Sequence, residues 1–443
     1  MPPSRPVSLS AYWRVLRDNR NCRLLWMAQT VSELGDWLYA VAVYSLILEY
    51  TGSAQAVALA FVLQVLPQFF MAPSAGVLND RLSRRKLMMF ADWMRAGIVF
   101  LMLFVQTSEA LPLLYVLLFA ETLFWALFEP GRSAVIPNIT SSHDETLVAN
   151  ALSSTTWSVN LAIGSAIGGL IAAAFGRNTV FVINAISFVV SGLLIKAMRF
   201  REPHLEQVSP FRPKDLFDFS PIVEGIAYVR RDPRLFATIF VKGGIGFLGA
   251  NWVLLPIFGE RIFPVRLSGM SAAQQGMLGM SLLMGCRGIG ALLGPLVAGR
   301  WSGNSHKRFR LGIIAGFLVA AAGYVLLGFS PVILAAGCAV ILAHAGGSTC
   351  WVFSTTLLQI QTEDRFRGRV FSAEFAFNVL VMSVASYSAG LLTDKGVPVH
   401  TVAILTGVAL LIPAILWAVA QKLWREPGSL KALSGHGPGG AVQ

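Results

Sequence analysis

The stretch LLWMAQTVSELGDWLYAVAVYSLIL, Leu24 to Leu48, decides the fold. It is apolar for long enough to cross a bilayer, which takes ~20 residues, yet it carries two acids, Glu33 and Asp36. At a rise of ~1.5 Å per residue, Asp36 would lie roughly 18 Å along a helix begun at Leu24, near mid-membrane. A carboxylate at that depth costs roughly 3 kcal/mol on insertion scales, and chains keep one mainly where it faces a watery cavity or handles protons. Gln29, Ser32, Glu33 and Asp36 recur at three- and four-residue steps and so share one helix face. The two acids are expected to titrate as a coupled unit. Asp36 is the expected proton carrier, with Glu33 its partner or a substrate contact. The alternative is a salt bridge from this face to another helix that only holds structure.

The rest of the chain has the same character. Of 443 residues, 55% are hydrophobic and only 13% charged, with a mean hydropathy of +0.63. A soluble protein would carry about 25% charged residues, so most of this chain is expected in lipid. Twelve apolar spans can be read, at 24–48, 54–77, 87–107, 112–136, 149–174, 179–198, 235–257, 275–299, 311–329, 332–357, 370–392 and 401–421. The first is about twice as long as a signal-peptide core and reads as an uncleaved span. Cys22, Cys286, Cys338 and Cys350 lie in or beside apolar runs without disulfide or metal spacing, and read as core side chains. There is no G-x-x-x-x-G-K-[ST] loop to feed nucleotide energy into the chain.

The net charge of +12 follows the spans, which argues against nucleic acid as the partner. Arg95, Arg132, Lys242 and Arg287 lie within spans, and Arg177, Arg261, Arg266 and Lys395 fall in loops on one side. The rest of the 35 Lys and Arg residues cluster on the side of the N-terminus. That asymmetry predicts both termini in the cytoplasm, with the basic face drawn to anionic lipid.

Residues 199–234 form the longest internal polar stretch, in which Leu216, Phe219, Val223 and Ile226 follow helical spacing. An amphipathic linker helix on the membrane face is expected here. The predicted organisation is a six-helix bundle over 1–198, the cytoplasmic linker 199–234, a second six-helix bundle over 235–424 and a disordered tail over 425–443. The halves echo one another. Arg17-Asp18-Asn19-Arg20 precedes the first span and Arg231-Asp232-Pro233-Arg234 the seventh; Gly76-Val77-Leu78 ends the second and Gly294-Pro295-Leu296 the eighth. Duplicated six-span units place a transporter's substrate site at mid-membrane between the halves.

The loop after the second span reads Gly76-Val77-Leu78-Asn79-Asp80-Arg81-Leu82-Ser83-Arg84-Arg85-Lys86. A glycine permits close helix approach, an acid caps or pairs at a helix end, and arginines grip carboxylates and lipid phosphates. The loop resembles the signature G-x-L-a-D-r-x-G-r-k of the major facilitator superfamily, with Ser83 where a second glycine is usual. The resemblance implies an all-α membrane protein of twelve transmembrane helices in two pseudo-symmetric six-helix bundles. It also implies a cytoplasmic gate built from Gly76, Asp80, Arg81, Arg84 and Arg85, latched against the eleventh span and Arg132. Three further segments are similar to the bacterial exporter group that includes macrolide efflux proteins and the enterobactin exporter. They are Arg20 to Gln29, Glu129-Pro130-Gly131-Arg132-Ser133-Ala134-Val135-Ile136-Pro137, and Leu358-Gln359 to Arg367-Gly368-Arg369-Val370. The antiporter motif G-x-x-x-G-P-x-x-G-G is only partly matched, at Gly164-Ser165-Ala166-Ile167-Gly168-Gly169.

Other intramembrane charges complete the candidate site. Gln29, Trp37, Glu121, Trp125, Arg287 and Glu374 are candidate cavity residues. Glu121 reads as a cargo contact or an outer-vestibule acid, Arg287 as an anchor for an anionic cargo, and Glu374 as a possible mate for Lys242. Glu129 and Arg132, and Asp92 and Arg95, are one-turn pairs, the latter read as structural. His344 is a lone histidine expected to pack or bond locally. Trp157, Trp252, Phe128, Phe375 and Phe377 add to an aromatic lining, while Trp26 and Trp424 suit interfacial belts.

These features predict a monomeric proton-coupled exporter of a bulky amphipathic small molecule, such as a drug, macrolide-like compound or siderophore, working by alternating access. No cofactor, metal or catalytic residue is expected, and the partners are the substrate, protons and the bilayer. A proton-independent uniporter or importer of a metabolite or lysolipid, and a non-transporting receptor on the same scaffold, are the alternatives.

Overall fold

The computed structural model describes residues 9–207, 219–303 and 305–424. The expected tail 425–443 and the linker's Leu216 lie outside the described residues. Among those described there is no strand, and twelve helices are long and apolar enough to cross a membrane. They are α1 Arg20–Thr51, α2 Ala54–Arg81, α3 Arg84–Phe104, α4 Ser108–Ile139, α5 Asp144–Phe175, α6 Arg177–Lys196, α7 Pro233–Ile262, α8 Ala272–Ser302, α9 His306–Gly328, α10 Ile333–Gln361, α11 Phe366–Asp394 and α12 Val399–Ala420. A short helix, Leu9–Asp18, precedes them, and a linker helix, Ser220–Val229, stands between α6 and α7.

Most helices outrun the apolar segments that predict them, because helix ends are set by caps and not by the edge of the lipid. Asn19, Ser53, Ser83, Ser142, Ser271 and Ser305 each accept a backbone N–H of the first turn that follows. At the other end of α1, Gly52 takes φ +60° and donates its N–H to Leu48, the left-handed stop that glycine adopts at little cost. The least regular span is α7, with a 3-10 turn at Gly246–Ala250 and a π turn at Phe258–Ile262. Its backbone presses on α11: a Cβ at Gly249 would lie 2.5 Å from the Met382 carbonyl oxygen.

The packing is duplicated. In the first half α1 contacts α5 and α6, α2 contacts α4, and α3 contacts α4 and α6. Adding six to each helix number gives contacts of the second half: α7 with α11 and α12, α8 with α10, and α9 with α10 and α12. The halves meet where α5 packs on α8 and α2 on α11, two seams exchanged by the same pseudo-two-fold relation. Outward-facing side chains are apolar, among them Phe175, Val297, Leu334 and Ile415, as a surface solvated by lipid requires. Polar and charged groups are drawn inward instead.

Candidate functional site

Among the described residues, three groups of charges and one aromatic cluster occupy the interior. The first is centred on Arg95 of α3. Its Nη2 lies 2.7 Å from Asp36 Oδ2 of α1 and 2.7 Å from Glu121 Oε1 of α4, and its Nη1 lies 3.8 Å from Asp92. The guanidinium also rests 4.0 Å from the ring centre of Phe188 on α6. Asp92 and Arg95, expected as a one-turn structural pair, do face each other at 3.8 Å, but Arg95 is shared with Asp36 and Glu121, and Glu121 faces Arg95 where a cargo or vestibule contact was expected. Spacing along one helix identifies neighbours one turn away, whereas Arg95 spans to two other helices. Asp36 forms the salt bridge envisaged as its alternative role, yet its side chain is 21% exposed against 0% for Asp92 and 7% for Glu121. Its second oxygen, Oδ1, has no hydrogen-bond partner.

A polar chain runs from this cluster's helix toward the end that carries the termini. Glu33 accepts from Gln29 Nε2 at 2.8 Å and from Asn160 of α5 at 3.2 Å. Gln29 Oε1 in turn accepts from Ser153 Oγ at 2.8 Å and from Arg132 Nη1 at 3.2 Å, and Arg132 pairs with Glu129 one turn away. Gln29 is thus buried with its amide bonded inside the protein. In the second half Lys242 of α7 pairs with Glu374 of α11 at 2.9 Å and lies 4.1 Å from the ring centre of Trp351. Glu374 is accordingly buried too.

Between the halves lies the aromatic cluster. Trp37 of α1 stacks on Trp252 of α7, 6.0 Å apart, and meets Trp157 of α5 edge-on at 5.8 Å. Phe61 of α2 stacks on Trp252 at 4.9 Å. Arg287 of α8 sits 3.9 Å from the Trp252 ring centre and 5.8 Å from that of Trp37. Trp125 is half-buried on α4, one turn past Glu121. His344 is buried beside the Tyr324 hydroxyl at 3.4 Å. Nearer the termini, an apolar cavity of about 530 Å³ opens between α2, α7, α11 and the linker helix, lined by Phe69, Phe70, Phe236, Phe240 and Phe377.

Twelve duplicated spans around buried charges, with a basic loop after the second, match a known protein family along nearly the whole chain: residues 11–428 fit the family described as transmembrane secretion effectors. The chain belongs to this family of the major facilitator superfamily. Macrolide efflux protein A of Streptococcus pyogenes is 26% identical over 90% of this chain and 95% of its own. The putative bacilysin exporter BacE of Bacillus amyloliquefaciens is 25% identical over 83% of this chain and 87% of its own. A crystal structure of a bacterial homologue of the human lysosomal transporter Spinster superposes with a TM-score of 0.67 at 13% identity, over 95% of this chain and 100% of that one. The protein is a multi-pass membrane transporter.

The transporter's motif loop is tied mainly within its own half. Asp80 is exposed and pairs with Arg84 at 3.5 Å, while Arg84 Nη1 donates to Ala134 O at 3.1 Å. Arg85 donates to Met198 O at 2.8 Å, and Glu202 accepts from the Ser83 hydroxyl at 2.6 Å. Arg81 is half-buried in the last turn of α2. Gly76, expected at a close helix approach, has open space where a Cβ would stand. The close approach is made by Gly131, whose Cβ would lie 2.5 Å from Asn79 Oδ1. Sequence gives both glycines equal standing, and only the crossing of α2 and α4 separates them.

One residue escaped the reading of the sequence. Asp394, closing α11 at the end remote from the termini, binds the start of α2: it accepts from Ser53 Oγ at 2.5 Å, Ala54 N at 2.8 Å and Gln55 N at 3.0 Å. Beside it Arg261 Nη2 donates to Gly52 O at 2.6 Å, so the halves are fastened together at that end. A signal was present: Leu392-Thr393-Asp394-Lys395 echoes Leu78-Asn79-Asp80-Arg81.

Proposed function

We propose that the transporter is a proton-coupled exporter of a bulky amphipathic small molecule, working by alternating access in the bacterial inner membrane with both termini cytoplasmic. The observation that carries this reading is the cluster of three carboxyl groups around the single guanidinium of Arg95. One cation balances one anion, and an excess of buried negative charge is costly, so protons are the natural complement. Asp36 is the member open to solvent, and it connects α1 to α3 and, through the shared Nη2, to α4. A proton arriving on Asp36 would release that Nη2 to Glu121 alone and loosen α1 from α3; its departure would restore the bridge. Glu33, one turn away and linked through Gln29 to Arg132, would carry the change toward the loop of Asp80, Arg81, Arg84 and Arg85.

Supporting the export direction, two relatives bear names of exporters, for a macrolide and for bacilysin. The apolar cavity of about 530 Å³ and the aromatic cluster suit a large hydrophobic body. The test is uptake of lipophilic peptides with a free C-terminal carboxylate into inside-out vesicles under an imposed pH gradient. Wild-type protein should accumulate cargo and Asp36→Asn should not, with equal amounts of folded protein in the membrane. Gradient-driven uptake by the variant at the wild-type rate rejects Asp36 as the coupling group. Wild-type uptake that does not change when the gradient is collapsed would support a second reading, favoured by the 2.7 Å contact itself: the cluster only clamps α1, α3 and α4, and cargo moves without protons.

A further inference from the structure

The buried cations among the described residues are Arg95, Arg132, Lys242 and Arg287. The first three each pair with a carboxylate, Arg95 with Asp36, Arg132 with Glu129 and Lys242 with Glu374. Arg287 does not. It is 8% exposed, no acid among the described residues pairs with it, and its Nη1 is buried without a hydrogen-bond partner. Its neighbours are the faces of Trp252 and Trp37, which soften the burial of a guanidinium but accept none of its N–H groups. Leaving a charged donor buried and unmatched is among the costlier arrangements a protein can keep.

Two further orphaned donors belong to the same cluster. Trp252 Nε1 is buried without a partner, on the ring that Arg287 covers. Gln64 Nε2 is likewise unmatched, while its Oε1 accepts from Tyr44, whose ring meets Trp252 at 6.2 Å. Arg287 and Trp252 come from the second half, and Gln64, Tyr44 and Trp37 from the first. These three unmatched groups are all donors, and they stand on residues from both sides of the seam of the halves, around the Trp252 and Trp37 rings.

We infer that Arg287 is the counter-charge for an anionic group on the cargo, and that the cargo class is an organic acid with an aromatic or flat apolar body. The acid's carboxylate, or an equivalent oxyanion, takes the N–H groups of Arg287, with Trp252 Nε1 and Gln64 Nε2 as further donors. Its apolar body lies against Trp37 and Trp252. Because donors from both halves converge, the anion stabilises the state in which the halves are closed around it. This rests on the reading of the protein as an exporter of bulky amphipathic molecules and narrows it to anions.

The test uses full-length protein in detergent without any gradient, and three probes of one shape: 2-anthracenecarboxylate, its carboxamide, and 2-anthracenylmethylammonium. Energy transfer from tryptophan to anthracene reports binding. The carboxylate should bind at least tenfold tighter than the carboxamide, and the ammonium weakest. Arg287→Gln should erase the preference for the acid, and Arg287→Lys should keep part of it. Should Arg287→Gln fail to fold, the three-probe comparison on wild-type protein decides alone. Equal affinity for acid and amide, no binding of the acid, or an unchanged preference in folded Arg287→Gln overturns the proposal. Binding read without a gradient is independent of proton coupling, so this result and that of the vesicle experiment can fail separately.

Discussion

The carboxylate of Asp394 accepts the backbone N–H of Ala54 at 2.8 Å, so the last turn of α11 caps the first turn of α2 across the two halves. A negative charge at a helix N-terminus is favoured both by its orphaned N–H groups and by the aligned peptide dipoles. This contact joins the halves at the end remote from the termini, and the alternating access proposed above requires that it break. Replacing Asp394 by Ala removes a cap worth ~1 kcal/mol. The population open at that end should rise severalfold, measured as lengthening of the spin-label distance between positions 50 and 395. An unchanged distance distribution would mean that the seams of α5 with α8 and α2 with α11 hold the closed state unaided.

The pair Lys242 and Glu374 tests how much of the interior charge serves structure. Truncating one partner of a buried ion pair leaves an unmatched charge and costs about 3–5 kcal/mol. Lys242→Met should therefore lower the thermal midpoint steeply, and adding Glu374→Leu should recover most of the loss. If the double variant is stable yet inactive in vesicles, the pair serves transport and not folding. If the double variant is no more stable than Lys242→Met, burial of charge is not what the pair resolves.

The two glycines of the α2–α4 region should separate cleanly. A methyl at Gly131 would stand 2.5 Å from Asn79, and overpacking of this kind costs about 1–3 kcal/mol. Gly131→Ala should lose stability by that order in thermal unfolding. Gly76→Ala meets open space and removes a helix-weakening residue, so stability should hold or rise by up to ~1 kcal/mol. A stable Gly76→Ala protein that fails to transport would assign Gly76 to a contact made only when the opposite end closes.

Gln29 links Glu33 to Arg132, and its removal isolates the proposed proton site from the loop. Gln29→Leu should leave substrate binding in detergent intact and reduce gradient-driven transport by tenfold or more. Loss of both together would mark Gln29 as a packing residue.

Much of the fold was legible because lipid writes it in one dimension. A span needs ~20 apolar residues whatever surrounds it, so all twelve helices could be read from runs of hydropathy, and the six-plus-six division from the polar stretch 199–234 and two repeated signals, one of four residues and one of three. Caps such as Ser53 and Ser142 then set helix ends that the apolar runs only approximate. The charges were legible as unusual but not as partners. Asp92 with Arg95 read as a pair because one helical turn separates them, yet Arg95 lies nearer to Asp36 and Glu121, 59 and 26 residues away.

By itself, then, the sequence determined that the chain crosses a membrane twelve times and carries acids and bases where lipid penalises them, since both depend only on local composition. The tertiary structure decided which charges meet: Lys242 with Glu374, Arg95 with three acids, Asp394 with the start of α2, and Arg287 with no acid among the described residues. Those choices turn on how helices cross, and a crossing places residues by rotation and depth about two axes at once. No spacing along a single chain contains that information.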